Sequence, residues 1–334
     1  MVTWNLATPR ITAEVHSLGA MLAPVVFVLP SGQRVRPFKI APWQDRAEAV
    51  SLPPVMRYLR GDFACVPFGS PMPPPSAPEH WRQLWSDEPA FREVHGPSAN
   101  AEWSLVTYSE SSLTAALDYP ESHPVRRVER SFWLDDDNLA VDIGLTIHAR
   151  TAGRLAVGVH PVLDVGDDPE DAELELPFRF GRTFPGDYVP GTSRLARDAR
   201  FTDLGQVPLL SGEAQSLRRH PLREPAEEVV QLCGTQGLAR LRRASLAVTV
   251  ELRWNPEHFP SVVLGIANGG RTGPPFDGRW RALYVEPVAS AFGIGATIGA
   301  NPENPIAREG VATAIEIAPA RPWHTRYRVA VTAS

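Results

Sequence analysis

Leu139-Ala140-Val141-Asp142-Ile143-Gly144-Leu145-Thr146-Ile147-His148 alternates between bulky apolar residues and small or polar ones along its whole length. A period of two places Leu139, Val141, Ile143, Leu145 and Ile147 on one face of an extended strand, with the intervening residues on the other. Immediately upstream, Asp135-Asp136-Asp137-Asn138 is a polar turn, and Arg127–Leu134 before it is a second strand candidate. Strand, turn and strand predict an antiparallel hairpin. The alternation returns at Leu246, Val248, Val250, Leu252 and Trp254, and again at Tyr327, Val329 and Val331. Shorter candidates are Ile11–His16, Val25–Leu29, Glu102–Tyr108, Arg154–His160, Ser261–Ile266, Arg281–Glu286 and Val311–Ile317.

Helical patterning is confined to a turn or two at 43–50 and 79–86. The 34 prolines among 334 residues are about twice the usual share, and proline interrupts helix interiors while tolerating turns and strand ends. No repeat of 20–50 residues is present, which argues against a propeller or solenoid. The expected fold is all-β, one large antiparallel β-sandwich domain spanning 1–334. The Pro-rich stretches 71–78 and 269–278 read as surface loops, because neither is followed by a change in composition. Residues 164–224, acidic at first and then Arg-rich, predict long loops with short strands covering a site.

A net charge of −5 gives no general attraction to nucleic acid or to an anionic membrane, so neither is an expected partner. Cys65 and Cys233 are too few for a disulfide framework. The histidines lack HxH or HxxxH spacing, and no P-loop, GxSxG elbow or strand-borne GxGxxG occurs. No metal and no cofactor are therefore expected. Met1-Val2-Thr3-Trp4-Asn5 lacks the features of a signal peptide, and a cytoplasmic location is expected. Oligomeric state is not legible.

Four segments stand apart from generic strand and loop. They are Arg60-Gly61-Asp62 followed by Val66-Pro67-Phe68-Gly69, His95-Gly96 with Trp103, Val159-His160-Pro161, and Tyr284-Val285-Glu286-Pro287. In this order on an all-β chain they resemble the aldose 1-epimerase (galactose mutarotase-like) superfamily. The resemblance covers roughly residues 10–332, loosely over 170–240. It implies a galactose mutarotase-like supersandwich and a cofactor-independent isomerase acting on a monosaccharide or sugar phosphate. It further implies His160 as acid, Glu286 as base, and Arg60 and His95 as ligands of substrate oxygens. Asp187 and Asp203 are both candidates for the family's sugar-binding aspartate. Two departures stand out: Asp62 takes the place of a frequent second glycine, and Ala99 stands where phosphosugar relatives have an arginine.

The residues support that chemistry independently. Exchanging anomers requires a base for the anomeric hydroxyl proton and an acid for the ring oxygen, each poised near neutral pH. Histidine and a partly buried carboxylate suit these tasks. A lone His before Pro at a strand end is ordinarily structural, and an Arg such as Arg60 ordinarily braces a loop. Glu286 is harder to dismiss, since an unpaired carboxylate in the apolar strand Ala282-Leu283-Tyr284-Val285 is costly to bury. A mutarotase or sugar epimerase is the first expectation. A non-catalytic carbohydrate-binding protein on the same fold is the alternative, and a structural, non-sugar role is a third.

Overall fold

A computed structural model describes residues 1–334. The hairpin is present: Val125–Asp135 and Ala140–Ala149 pair antiparallel, with Asp135 opposite Ala140 and Val125 opposite Ala149. Ala140–Ala149 is flanked on its other side by Trp323–Ala333, and that strand by Val248–Trp254. The three alternating stretches of the sequence thus lie side by side in a nine-stranded sheet. Their apolar faces merge into one surface, with Val141, Ile143, Leu145, Val250, Leu252 and Val329 buried. Each such aliphatic side chain removed from water contributes about 1.5–3 kcal/mol. The opposite face carries ion pairs between neighbouring strands, such as Arg240 with Glu251 at 2.8 Å, whose exposure limits each to about 1 kcal/mol or less.

A second, eight-stranded sheet has Ala226–Cys233, Ser261–Asn268 and Arg281–Ala289 adjacent at its centre. Val230, Leu264 and Val285 from this sheet join the first sheet's apolar face in a core of 63 buried residues. The result is an antiparallel β-sandwich. A four-stranded N-terminal sheet, Thr3–Ala7, Ile11–His16, Met21–Val28 and Arg34–Val35, adds Leu6, Ile11, Val15 and Phe27 to the same core.

The second sheet is covered on both faces. Val229, Val263 and Val288 point away from the main core into a smaller cluster, where loop residues Trp43, Phe63 and Phe292 pack with them. All eight residues of Ala226–Cys233 are consequently buried, which removes the alternation that would mark a strand. Leu246 departs from the expected strand: the chain turns at Ala247, φ 49°, and the strand begins at Val248. Segment 43–50 holds only the 3-10 turn Ala47–Ala49, and 79–86 the single helical turn Glu79–Arg82. Short helical turns also occur at Pro54–Arg57, Gly96–Asn100, Ala296–Ala300 and Pro305–Arg308, too brief to leave a periodic signal. No helix is long and apolar enough to cross a membrane.

Asp62 acquires a structural explanation. Its fully buried carboxylate pairs with Arg130 of the hairpin and accepts a hydrogen bond from the Tyr327 hydroxyl at 2.6 Å. Arg130 also donates to the Ala20 carbonyl at 2.7 Å. Burial pushes the Asp62 carboxyl above its ordinary value, a rise that Arg130 and Tyr327 offset only in part. Gly61 beside it has φ 51°, and a Cβ there would lie 1.8 Å from the Leu22 carbonyl oxygen, so only glycine fits. This cluster ties the 60–62 segment to the first sheet.

Candidate active site

The outer face of the second sheet, beneath the loops, holds the site. Along Arg281–Ala289, Leu283 and Val285 enter the main core, so the intervening Tyr284 and Glu286 project from the opposite face. Val263 lies opposite Glu286 and Gly265 opposite Tyr284 on the neighbouring strand, which keeps the floor low. His160 ends the strand Val157–Val159. Its backbone N–H donates to the Phe63 carbonyl at 2.9 Å, and its ring stacks on Phe63 at 4.4 Å and 15°.

His95 is placed by backbone geometry. It has φ 59° and is followed by Gly96 at φ 68°, where a Cβ would meet the Val66 carbonyl oxygen at 2.3 Å. Two consecutive left-handed residues turn the chain sharply, and the His95 N–H donates to the Gly69 carbonyl at 2.8 Å. The Gly69 N–H donates in return to His95 Nδ1 at 3.3 Å, which puts the ring proton of the neutral imidazole on Nε2.

His95, His160, Tyr284 and Glu286 line a cavity of about 360 Å³. An adjoining lobe of about 280 Å³ shares His95, His160, Tyr188 and Tyr284 and extends toward Trp43, Arg271 and Phe276. The first lies within the range of small-molecule sites, about 300–1,000 Å³, and the adjoining lobe extends it. His160 Nε2 lies 3.5 Å from Glu286 Oε1, with both side chains nearly buried, and the His95 ring meets His160 edge-on at 5.1 Å. Burial pushes the Glu286 carboxyl well above the usual carboxylate range. Burial, and then the neighbouring His95, hold His160 well below an ordinary histidine, and burial brings His95 to about 4. Near neutral pH both imidazoles are therefore uncharged, and the carboxyl is biased toward keeping a proton. His160 Nδ1 is buried without a partner, an uncommon condition in a folded interior.

Three of the expected site residues, His95, His160 and Glu286, thus converge. Asp187 also lines the cavity, with its carboxylate paired to Arg197. Asp203 does not: it is exposed and bound to Arg218 at 2.8 Å and to the Gly205 N–H at 2.7 Å. Arg60 also departs from expectation. It is buried outside the cavity, with Nη1 2.7 Å from His16 Nε2 and Nη2 on the Gln44 side-chain oxygen. These partners, distant in sequence, fix its direction away from the imidazole pair.

The cation that does reach the cavity is Arg271, from the 269–278 loop. Its guanidinium sits 5.6 Å from the Tyr188 ring centre and 5.2 Å from that of Phe276, and its Nε is 3.4 Å from buried Glu227. Nothing in the local sequence marks Arg271 beyond the glycines around it, and Glu227 lies in the strand without alternation. No three His, Cys, Asp or Glu side chains converge to hold a metal ion.

No family model matches the sequence, and no curated protein matches it. Solved structures do match the fold. A galactose mutarotase-like protein from Lactobacillus casei is 14% identical, with 99% of this chain and 100% of that one covered at a TM-score of 0.64. An aldose epimerase homologue from C. elegans is 13% identical, with 99% of each chain covered at 0.65. A galactose mutarotase related enzyme from Lactobacillus acidophilus is 14% identical, with 99% and 97% covered at 0.62. The chain has the galactose mutarotase-like β-sandwich fold. At these identities the likeness is one of fold.

Proposed function

We propose that this protein interconverts the anomers of an aldose by acid–base ring opening. The observation that carries the reading is the buried His160–Glu286 pair, 3.5 Å apart, facing a cavity of suitable size. Glu286 takes the proton of the anomeric hydroxyl while His160 gives one to the ring oxygen. The C1–ring oxygen bond breaks, a C1 carbonyl forms, the C1–C2 bond rotates, and closure on the other carbonyl face reverses both transfers. The pair begins and ends with one proton between them. Burial disfavours the charged form of each group, so the resting pair is neutral and its one proton is available for the exchange. Before substrate binds, the proton favours Glu286; a short transfer to Nε2 produces the carboxylate base and imidazolium acid. His95 donates from Nε2 to a sugar oxygen, and Asp187 accepts from a hydroxyl at the rim.

The displacement of Arg60 from the cavity favours a second reading, a carbohydrate-binding protein without efficient catalysis. Polarimetry or NMR saturation transfer on freshly dissolved aldoses separates the two. Anomer exchange well above the buffer rate supports the enzyme, and exchange at the buffer rate on a sugar that binds supports the binding protein.

A further inference from the structure

Resting on the mutarotase reading, we propose that the sugar carries an anionic substituent, and that Arg271 binds it in the second lobe. That lobe opens from the His95, His160 and Tyr284 end of the cavity and is walled by Trp43, Val55, Met56, Leu59, Phe276 and Trp280. Both indoles there have spent their donors: Trp43 Nε1 on the Met56 carbonyl at 3.0 Å, and Trp280 Nε1 on the Tyr284 hydroxyl at 2.6 Å. A neutral, hydroxylated arm of a sugar would lose its hydrogen bonds to water on entering and regain few.

Arg271 is the exception in this wall. The Tyr188 and Phe276 rings flank its guanidinium. Its one ion pair is at Nε, where Glu227 approaches to 3.4 Å, and Glu227 is itself engaged by the Gly270 N–H at 3.0 Å. The terminal nitrogens carry no carboxylate. A planar fork held between two rings in an apolar lobe matches an oxyanion, which can accept two parallel hydrogen bonds. Glu227 engages the fork at Nε and the Tyr188 hydroxyl neighbours it, so no carboxylate competes with the ligand for the terminal nitrogens. The shared chemistry is a carboxylate or phosphate oxygen pair on an aldose, as in a uronic acid or a sugar phosphate.

Titration calorimetry on the full chain distinguishes the sources, using glucuronate, galacturonate and glucose 6-phosphate beside glucose and galactose. At least one acidic sugar should bind ten times or more tightly than its neutral parent, and the winning arm names the anion. Arg271→Met should collapse that ratio, Arg271→Lys should restore only part of it, and Arg279→Met, at an exposed arginine just past the loop, should preserve it. Neutral sugars binding as tightly as every acidic one overturns the proposal, as does a preference that survives Arg271→Met. If neutral sugars bind and their anomers exchange rapidly, only the anion assignment falls. If no sugar binds and none exchanges faster than in buffer, the mutarotase reading falls with it.

Discussion

Gly265 and Tyr284 lie directly opposite one another on adjacent strands, and a Cβ on Gly265 would stand 2.6 Å from Tyr284 Cδ2. The tyrosine ring can lie along the sheet only because its neighbour has no side chain. That ring is 5.3 Å from the His160 ring, so its position bears on the acid–base pair. Gly265→Ala is expected to push Tyr284 toward His160. The overpacking should cost about 1–3 kcal/mol of stability, read from denaturant melts, and lower the rate of anomer exchange more than sugar affinity. An unchanged rate would show that Tyr284 is only a wall.

The pH profile follows from the two opposed shifts. Catalysis requires one proton on the His160–Glu286 pair. On the acid side activity is lost when His160 gains a second proton, and burial moves that limb below the 6.5 of an ordinary histidine. On the alkaline side activity is lost when Glu286 releases its proton, and burial moves that limb above the ordinary carboxylate range. kcat/KM against pH, which reports the free enzyme, is therefore expected to be bell-shaped. A single rise centred at 6.5 would contradict the assignment.

The hairpin at 125–149 is legible in the sequence because one of its faces meets the core and the other meets water. Ala226–Cys233 is not, because both of its faces are covered, and its paired Glu227 and Glu228 imitate a solvated segment. In the fold Glu228 accepts from the Leu195 N–H at 3.3 Å, and burial pushes its carboxyl up to about 7. At the site, Glu286 is legible as a charge inside an apolar strand, and His160 as a strand-end imidazole. Arg60 misleads because a motif names a residue without its direction, which His16 and Gln44 decide. Arg271 escapes notice because a loop path brings it to the cavity. That path is closed by the Gly269 N–H on the Trp280 carbonyl at 2.9 Å, a contact no periodicity announces.

The Asp62–Arg130 pair is fully buried and shares Tyr327, so removing one partner strands the other's charge. Arg130→Met is expected to destabilise the protein by about 3–5 kcal/mol. Replacing both partners, in Asp62→Asn with Arg130→Met, should cost less than the two single changes summed. Chemical denaturation of the three variants tests this, and a loss under about 1 kcal/mol for Arg130→Met would mean the pair is not the anchor described above.

The sharpest separation of enzyme from binding protein comes from the acid–base pair itself. Groups that move protons in the transition state contribute about 10²–10⁴-fold to rate while adding little to ground-state binding. Glu286→Gln and His160→Asn are therefore each expected to lower kcat at least about a hundredfold with a modest change in KM. The double variant should lose far less than the product of the two, since neither transfer proceeds alone. Arg60→Ala, in contrast, removes a contact to His16 outside the cavity, and should lower stability more than kcat. Saturation transfer between anomer signals measures the exchange directly at equilibrium. Full activity in Glu286→Gln would remove the carboxylate from the mechanism and leave His95 and His160 as the only imidazoles able to serve it.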